Sequence, residues 1–212
     1  MIKIDRNQVT VPSIGKNYRT PEILKALGKI FYNKCYLCEI KKNHPDNFEI
    51  DHLIPVSENE ALKYEWHNLY LCCTECNGYK SDEFINILDP CQDDVEIDII
   101  YELMPIDHQP RFYSSNPQNK TINNTVTLLE KVHNGDDVKS INKTASLRNA
   151  IDRRAKQLMQ AMLNFFRAKA KEDELAKQKS LREIKEIVSR YSPYTMLMRS
   201  LAKEYHFEDL FD

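Results

Sequence analysis

The sequence predicts an α+β chain, mostly helical, with a small strand–strand–helix core near its first third and a helical bundle behind it. Three observations carry this. The 212 residues contain only four glycines but many Leu, Ile, Lys and Glu, a composition that favours helix over sheet. The alternating run Phe48–His52 and the apolar run Leu69–Cys72 each suit a short strand, ahead of a helix from Thr74. Beyond residue 120 the apolar residues recur at three- and four-residue steps. The expected organisation is an N-terminal arm and helix over 1–33, the small core over 34–92, and a mainly helical region over 93–212.

Residues 1–19 show no period and include Pro12 and Gly15, so an irregular arm is expected. Thr20-Pro21-Glu22 starts a helix, with threonine able to cap and proline suited to the first helical position. Ile23, Leu24, Leu27, Ile30 and Phe31 give that helix one apolar face. The polar loop over 57–64 is expected to be exposed. The helix from Thr74 is expected to run to about Leu88, ahead of Asp89-Pro90. Val95, Ile97, Ile99 and Tyr101 alternate with acidic residues and suggest a half-buried strand, and 110–119 reads as a loop. Four helical stripes follow: Ile122 to Val132, closed by Asn134-Gly135; Leu147 to Phe166; Leu181 to Tyr191; and Tyr194 to Tyr205. They read as bundle core.

No run approaches the ~18 apolar residues of a membrane span, and the first residues lack a signal-peptide core, so a cytoplasmic protein with no membrane contact is expected. Net charge is only −2, which does not by itself point to nucleic acid. The charge is uneven, however. Nine carboxylates and no Lys or Arg lie between Ser81 and Pro110, whereas nine cations face only Asp152 between Lys139 and Lys171. The basic stretch suits either a phosphate-tracking helix or a solvated helix face.

Four of the six cysteines form two C-x-x-C pairs, Cys35/Cys38 and Cys73/Cys76. In a reducing compartment such pairs point to metal rather than disulfides. Four sulfurs close a tetrahedral zinc shell, the mark of a structural site. Cys72 is adjacent and competes with Cys73 for the fourth place. Cys91 reads as a buried structural thiol.

Between the pairs lies Asp51-His52-Leu53-Ile54-Pro55, then Asn68-Leu69, then Cys76-Asn77-Gly78-Tyr79-Lys80. Asp51 offers a hard oxygen to Mg²⁺ or Mn²⁺. Histidine titrates near neutrality, so His52 can take a proton from water. Asn77, at the head of the predicted helix, can add an amide oxygen to the same cation. His44, His108, His133 and His206 carry no partner at ligand spacing and are assigned no role; His67, beside Asn68, reads as a surface or packing residue ahead of a cleft-lining one, and Trp66 as a packing residue.

These segments, in this order and from Cys35 to Lys80, resemble the HNH endonucleases, which have a ββα-metal fold. Asn77 stands where many members have a third histidine. The resemblance implies that His52 is the general base, that Asp51 and Asn77 hold the catalytic Mg²⁺ or Mn²⁺, that Asn68 orients the His52 loop, and that Lys80 contacts a phosphate of the nucleic acid. The overall layout (short arm, central HNH core, long helical C-terminus) is similar to the HNH subunit of Septu-type anti-phage defence systems, including retron-associated ones. That implies an SMC- or ABC-like ATPase as partner. The expected function is therefore metal-dependent hydrolysis of phosphodiester bonds in DNA within such a complex. The alternatives are an HNH ribonuclease acting on RNA such as tRNA, and a zinc-knuckle adaptor without catalysis.

Overall fold

The structure, a computed structural model, describes residues 1–104, 109–136 and 138–212; Asp107 of the acidic run and His108 lie outside the described residues. The chain divides into two compact units. One comprises Met1–Ile100 with Phe112–His133, the other Tyr101–Arg111 with Asn134–Asp212.

In the first unit α1 spans Pro21–Ile30, capped by the Thr20 hydroxyl, which accepts from the Ile23 amide. It buries Ile23, Leu24, Leu27 and Ile30. Gly28 is required where the chain crosses this helix: a Cβ there would stand 2.8 Å from Pro45 Cβ. The N-terminal arm is irregular as expected, apart from a 3-10 turn at Arg6–Gln8, but it is not peripheral. Met1, Ile2 and Ile4 are buried, and the Ile4 amide donates to the Pro90 carbonyl at 2.8 Å. Arg6 donates to the carbonyls of Trp66 (3.0 Å) and Leu69 (2.8 Å) and lies over the Tyr70 ring. A chain with few large cores recruits these apolar and cationic side chains as cover for β2.

Strands β1 (Glu49–His52) and β2 (Leu69–Cys72) pair antiparallel, with Glu49 opposite Cys72, Ile50 opposite Leu71, Asp51 opposite Tyr70 and His52 opposite Leu69. Helix α2 follows at Thr74–Lys80. It ends well short of the expected Leu88. Ser81 adopts φ 44°, and its hydroxyl accepts from the Glu83 amide at 3.3 Å, a local bond that competes with the helical ladder. The expected strand from Val95 begins instead as one helical turn, α3 (Val95–Asp98), before β3 (Ile99–Leu103). Ile97 is 72% exposed, so the alternation there does not mark a buried face. Part of the expected loop over 110–119 is strand β4 (Pro110–Ser114), which joins β3 in a two-stranded sheet. Such a sheet has only edges, where proline is tolerated. Helix α4 (Lys120–Asn134) closes this unit with Ile122, Leu128, Leu129 and Val132 buried and the Thr125 hydroxyl accepting from the Leu88 amide.

The second unit contains α5 (Val138–Ala170), α6 (Glu174–Val188) and α7 (Thr195–Lys203). Gly135, at φ 77°, turns the chain into α5. Asp173 caps α6 by accepting from the Ala176 amide. Ile151, Ala155, Leu158 and Met162 of α5 are buried, as are Ile184, Ile187 and Val188 of α6 and Leu197, Met198 and Leu201 of α7. The fold is thus the expected mostly helical α+β type. No described helix is long and apolar enough to cross a membrane.

Candidate active site and metal centre

Two polar centres share α2. The first is the thiol cluster. Cys35 and Cys38 sit on a turn in which the Cys35 amide donates to the Ile40 carbonyl and Glu39 takes φ 59°. Cys73 precedes α2 as its cap residue and Cys76 lies in its first turns. The four Sγ atoms of Cys35, Cys38, Cys73 and Cys76 all lie within 4.8 Å of one another, and all four residues are buried. Cys38 and Cys73 are 3.8 Å apart. Tetrahedral zinc with Zn–S bonds of about 2.3 Å needs sulfurs about 3.8 Å apart, so this donor set, with Cys38 and Cys73 at that spacing and every pair within 4.8 Å, fits a zinc ion. Cys72, fully buried, places its Sγ 3.9 Å from that of Cys35 and lies outside the mutually close four.

The thiols' protonation equilibria fit the same reading. Burial pushes Cys76 and Cys72 up, and hydrogen bonding to Cys35 and Cys73 raises Cys38. At Cys35 burial opposes ionisation, yet hydrogen bonds from Cys38, Cys72, Cys73 and Cys76 hold the thiol well below its usual range.

The second centre is a cleft of about 360 Å³ lined among others by Tyr18, Asp51, His52, Asn77, Lys80 and Asp82. The predicted site residues Asp51, His52, Asn77 and Lys80 therefore meet in one place. Asp51 accepts from the Tyr36 hydroxyl at 2.6 Å and from Lys80 Nζ at 3.4 Å. It is 7% exposed, and burial raises its pKa, against the pull of Lys80 and Tyr36. A buried carboxylate of this kind gains from a bound cation. His52 Nε2 lies 3.0 Å from the Lys63 carbonyl. A carbonyl only accepts, so Nε2 carries the hydrogen and Nδ1 keeps the lone pair a base requires. The Tyr18 ring meets the imidazole edge-on at 4.8 Å between centroids.

Asn68 lies beneath the loop between the strands. Its Oδ1 accepts from the Ile54 amide at 2.8 Å, and its Nδ2 donates to the carbonyls of Ile54 and Leu62. One amide thus ties both ends of the segment that supplies the Lys63 carbonyl to His52. Lys80, expected at a phosphate, is 1% exposed: its ammonium donates to the His52 carbonyl at 2.8 Å and to Asp51. It sits beneath the cleft and locks the Asp51-His52 pair, rather than projecting from it. His67 is exposed and Trp66 buried.

Three contributors were not singled out from sequence. Tyr36, inside the first knuckle, carries no signal of its own. Tyr18 comes from the unpatterned arm. Glu49, which accepts from Asn77 Nδ2 at 2.6 Å, had a usable signal. Glu49 and Asp51 share one face of β1, and Asn77 and Lys80 stand one turn apart on α2. Each carboxylate on the strand meets one donor on the helix.

A family model described as HNH endonuclease matches residues 35–83. The "Septu protein PtuB" of Bacillus thuringiensis is 34% identical over 61 residues, 28% of this chain. Those residues span about a quarter (24%) of that relative's length. No solved structure matches the chain. The paired strands, the helix with its thiol cluster and this match coincide on one segment, and residues 35–83 of the chain are an HNH endonuclease domain.

Proposed function

We propose that this protein is a metal-dependent endonuclease that hydrolyses phosphodiester bonds of DNA as the nuclease subunit of a bacterial anti-phage defence complex with an ATPase. The observation that carries the catalytic part is the His52 imidazole, fixed by the Lys63 carbonyl with Nδ1 left basic, in the same cleft as Asp51 and Asn77. His52 takes a proton from the attacking water. Tyr36 and Lys80 hold the Asp51 carboxylate in place, and Asn68 keeps the intervening loop closed around the imidazole. Asp51 and Asn77 would hold Mg²⁺ or Mn²⁺, which when bound neutralises charge on the scissile phosphate and its leaving oxygen. Zinc in the four-thiolate cluster is structural in this reading, since its shell has no open position.

The defence assignment rests on the match to PtuB over 61 residues and on the resemblance of this chain's layout, a central HNH core and a helical C-terminus, to the HNH subunit of Septu-type systems. It brings an ATPase as partner, testable by co-purification from native cells. An adaptor would need only the cysteines, whereas this cleft retains a buried carboxylate, an oriented imidazole and an amide.

The test is cleavage of plasmid DNA and of total tRNA in parallel, with Mg²⁺, with Mn²⁺ and with EDTA. Metal-dependent cutting of plasmid is expected, reduced about 10²–10⁴-fold in His52→Ala. Cutting of tRNA instead would replace DNA by RNA as substrate. Retention of full activity by His52→Ala would remove the catalytic assignment.

A further inference from the structure

Asn77 is the weakest member of the cation site proposed above, because a neutral amide presents a ligand oxygen at one end and a repelling NH₂ at the other. Which end faces a cation depends on what holds the amide. Here the amide is held at one atom. Its Nδ2 donates to Glu49 Oε2 at 2.6 Å, while its Oδ1 forms no hydrogen bond among the described residues. A carboxylate can only accept, so the nitrogen end is bound to Glu49 by chemistry rather than by chance. Asn77 also lines the cleft that holds Asp51 and His52. Glu49 lies two residues before Asp51 on β1, half-buried.

We propose that Glu49 is a positioning residue: its carboxylate orients the Asn77 side chain so that the amide oxygen faces the cleft as a ligand for the divalent cation. This rests on the metal-dependent reading given above. A partner that fixes a metal ligand from behind typically changes metal affinity by about 10–100-fold when removed.

The sign of the substitution is the test. Glutamine keeps an acceptor oxygen within reach of the Asn77 NH₂ alongside an NH₂ of its own, so Glu49→Gln retains the present hold on the amide as one of its two pairings. Lysine brings a donor, draws Asn77 Oδ1 toward itself and turns the NH₂ to the cleft. Mn²⁺ binding to the full zinc-loaded chain, followed by the loss of the free-Mn²⁺ electron paramagnetic resonance signal, reads this without requiring turnover. Asn77→Ala and Glu49→Lys are expected to weaken Mn²⁺ binding about tenfold or more, with Glu49→Gln within about threefold of the wild type. Zinc content and the thermal midpoint, expected to match the wild type, separate positioning from folding. If Glu49→Lys loses zinc, Glu49→Met, which offers neither donor nor acceptor, takes its place with the same expected direction.

Equal weakening by glutamine and lysine overturns the proposal, because the charge rather than the orientation would then matter. Unchanged binding in Glu49→Lys, or Mn²⁺ binding that does not depend on Asn77, overturns it as well. Plasmid cleavage is run beside the titration. Asn77-dependent Mn²⁺ binding with the expected ranking but no cutting would remove the nuclease reading and leave the role of Glu49 standing. Metal-dependent cutting with Mn²⁺ binding indifferent to Glu49 would do the reverse.

Discussion

The thiol cluster and the cleft are neighbours on one seven-residue helix, yet they handle buried polarity in opposite ways. In the cluster, four buried sulfurs lie within 4.8 Å of one another. In the cleft, each of these side chains already has a protein partner: Asp51 has Tyr36 and Lys80, His52 has the Lys63 carbonyl at Nε2, and Asn77 has Glu49 at Nδ2. The cluster is thus a donor set suited to an ion, whereas the cleft is shaped by protein contacts. On the function proposed above, that difference would separate a site whose metal supports the fold from a site whose metal comes and goes with its substrate.

The largest effect should come from breaking the cluster. Cys76→Ser leaves three thiolates around the zinc, and structural zinc in small domains contributes on the order of 10 kcal/mol. The first unit should lose zinc and its cooperative unfolding transition, while α5–α7 keep their helical signal. Zinc analysis with circular dichroism checks this. An unchanged melting profile would show that the cluster does not support the fold.

A second test calibrates burial that no ion relieves. His133 is buried in α4, with Nδ1 donating to the Leu129 carbonyl, and burial pushes its pKa down to about 4. The unfolded state takes up a proton near pH 6.5 and the folded state only near 4, so this residue costs stability as pH falls through that window. The shift corresponds to about 3 kcal/mol in total. Wild type should therefore lose that much relative to His133→Gln between pH 7 and pH 4, a difference from which zinc loss cancels. Parallel stability curves for the two proteins would contradict the burial.

The smallest effect belongs to the cleft. Tyr36→Phe removes the hydroxyl donor from the Asp51 carboxylate and should cost about 1–2 kcal/mol of stability, with zinc content unchanged. A loss of zinc in this variant would mean that cluster and cleft are one cooperative structure rather than two.

The sequence was most legible where one residue type has one use. The C-x-x-C pairs, the Thr20-Pro21 helix start and the two strands β1 and β2 all reappear at their expected places. Legibility failed where side-chain bonding overrode local pattern. Ser81 stops α2 through its own hydroxyl, and Ile97 alternates like a strand residue while standing in a helical turn exposed to solvent. The arm looked structureless because its contacts are long-range: Ile4 pairs with Pro90, and Arg6 reaches carbonyls some sixty residues on. Lys80 was readable as a cation but not as a buried one, since only the fold sets Asp51 and the His52 carbonyl before it.

Because Cys73 and Cys76 bracket the turn that delivers Asn77, the proposed function implies that a chelating agent would act on this molecule on two clocks. A weakly held Mg²⁺ or Mn²⁺ would leave within the mixing time and return as readily when added back. Zinc sealed behind four buried sulfurs would leave slowly, and its departure would dismantle α2 along with the ligand that α2 carries. Brief EDTA treatment followed by magnesium should thus restore whatever EDTA stopped, and prolonged treatment should not.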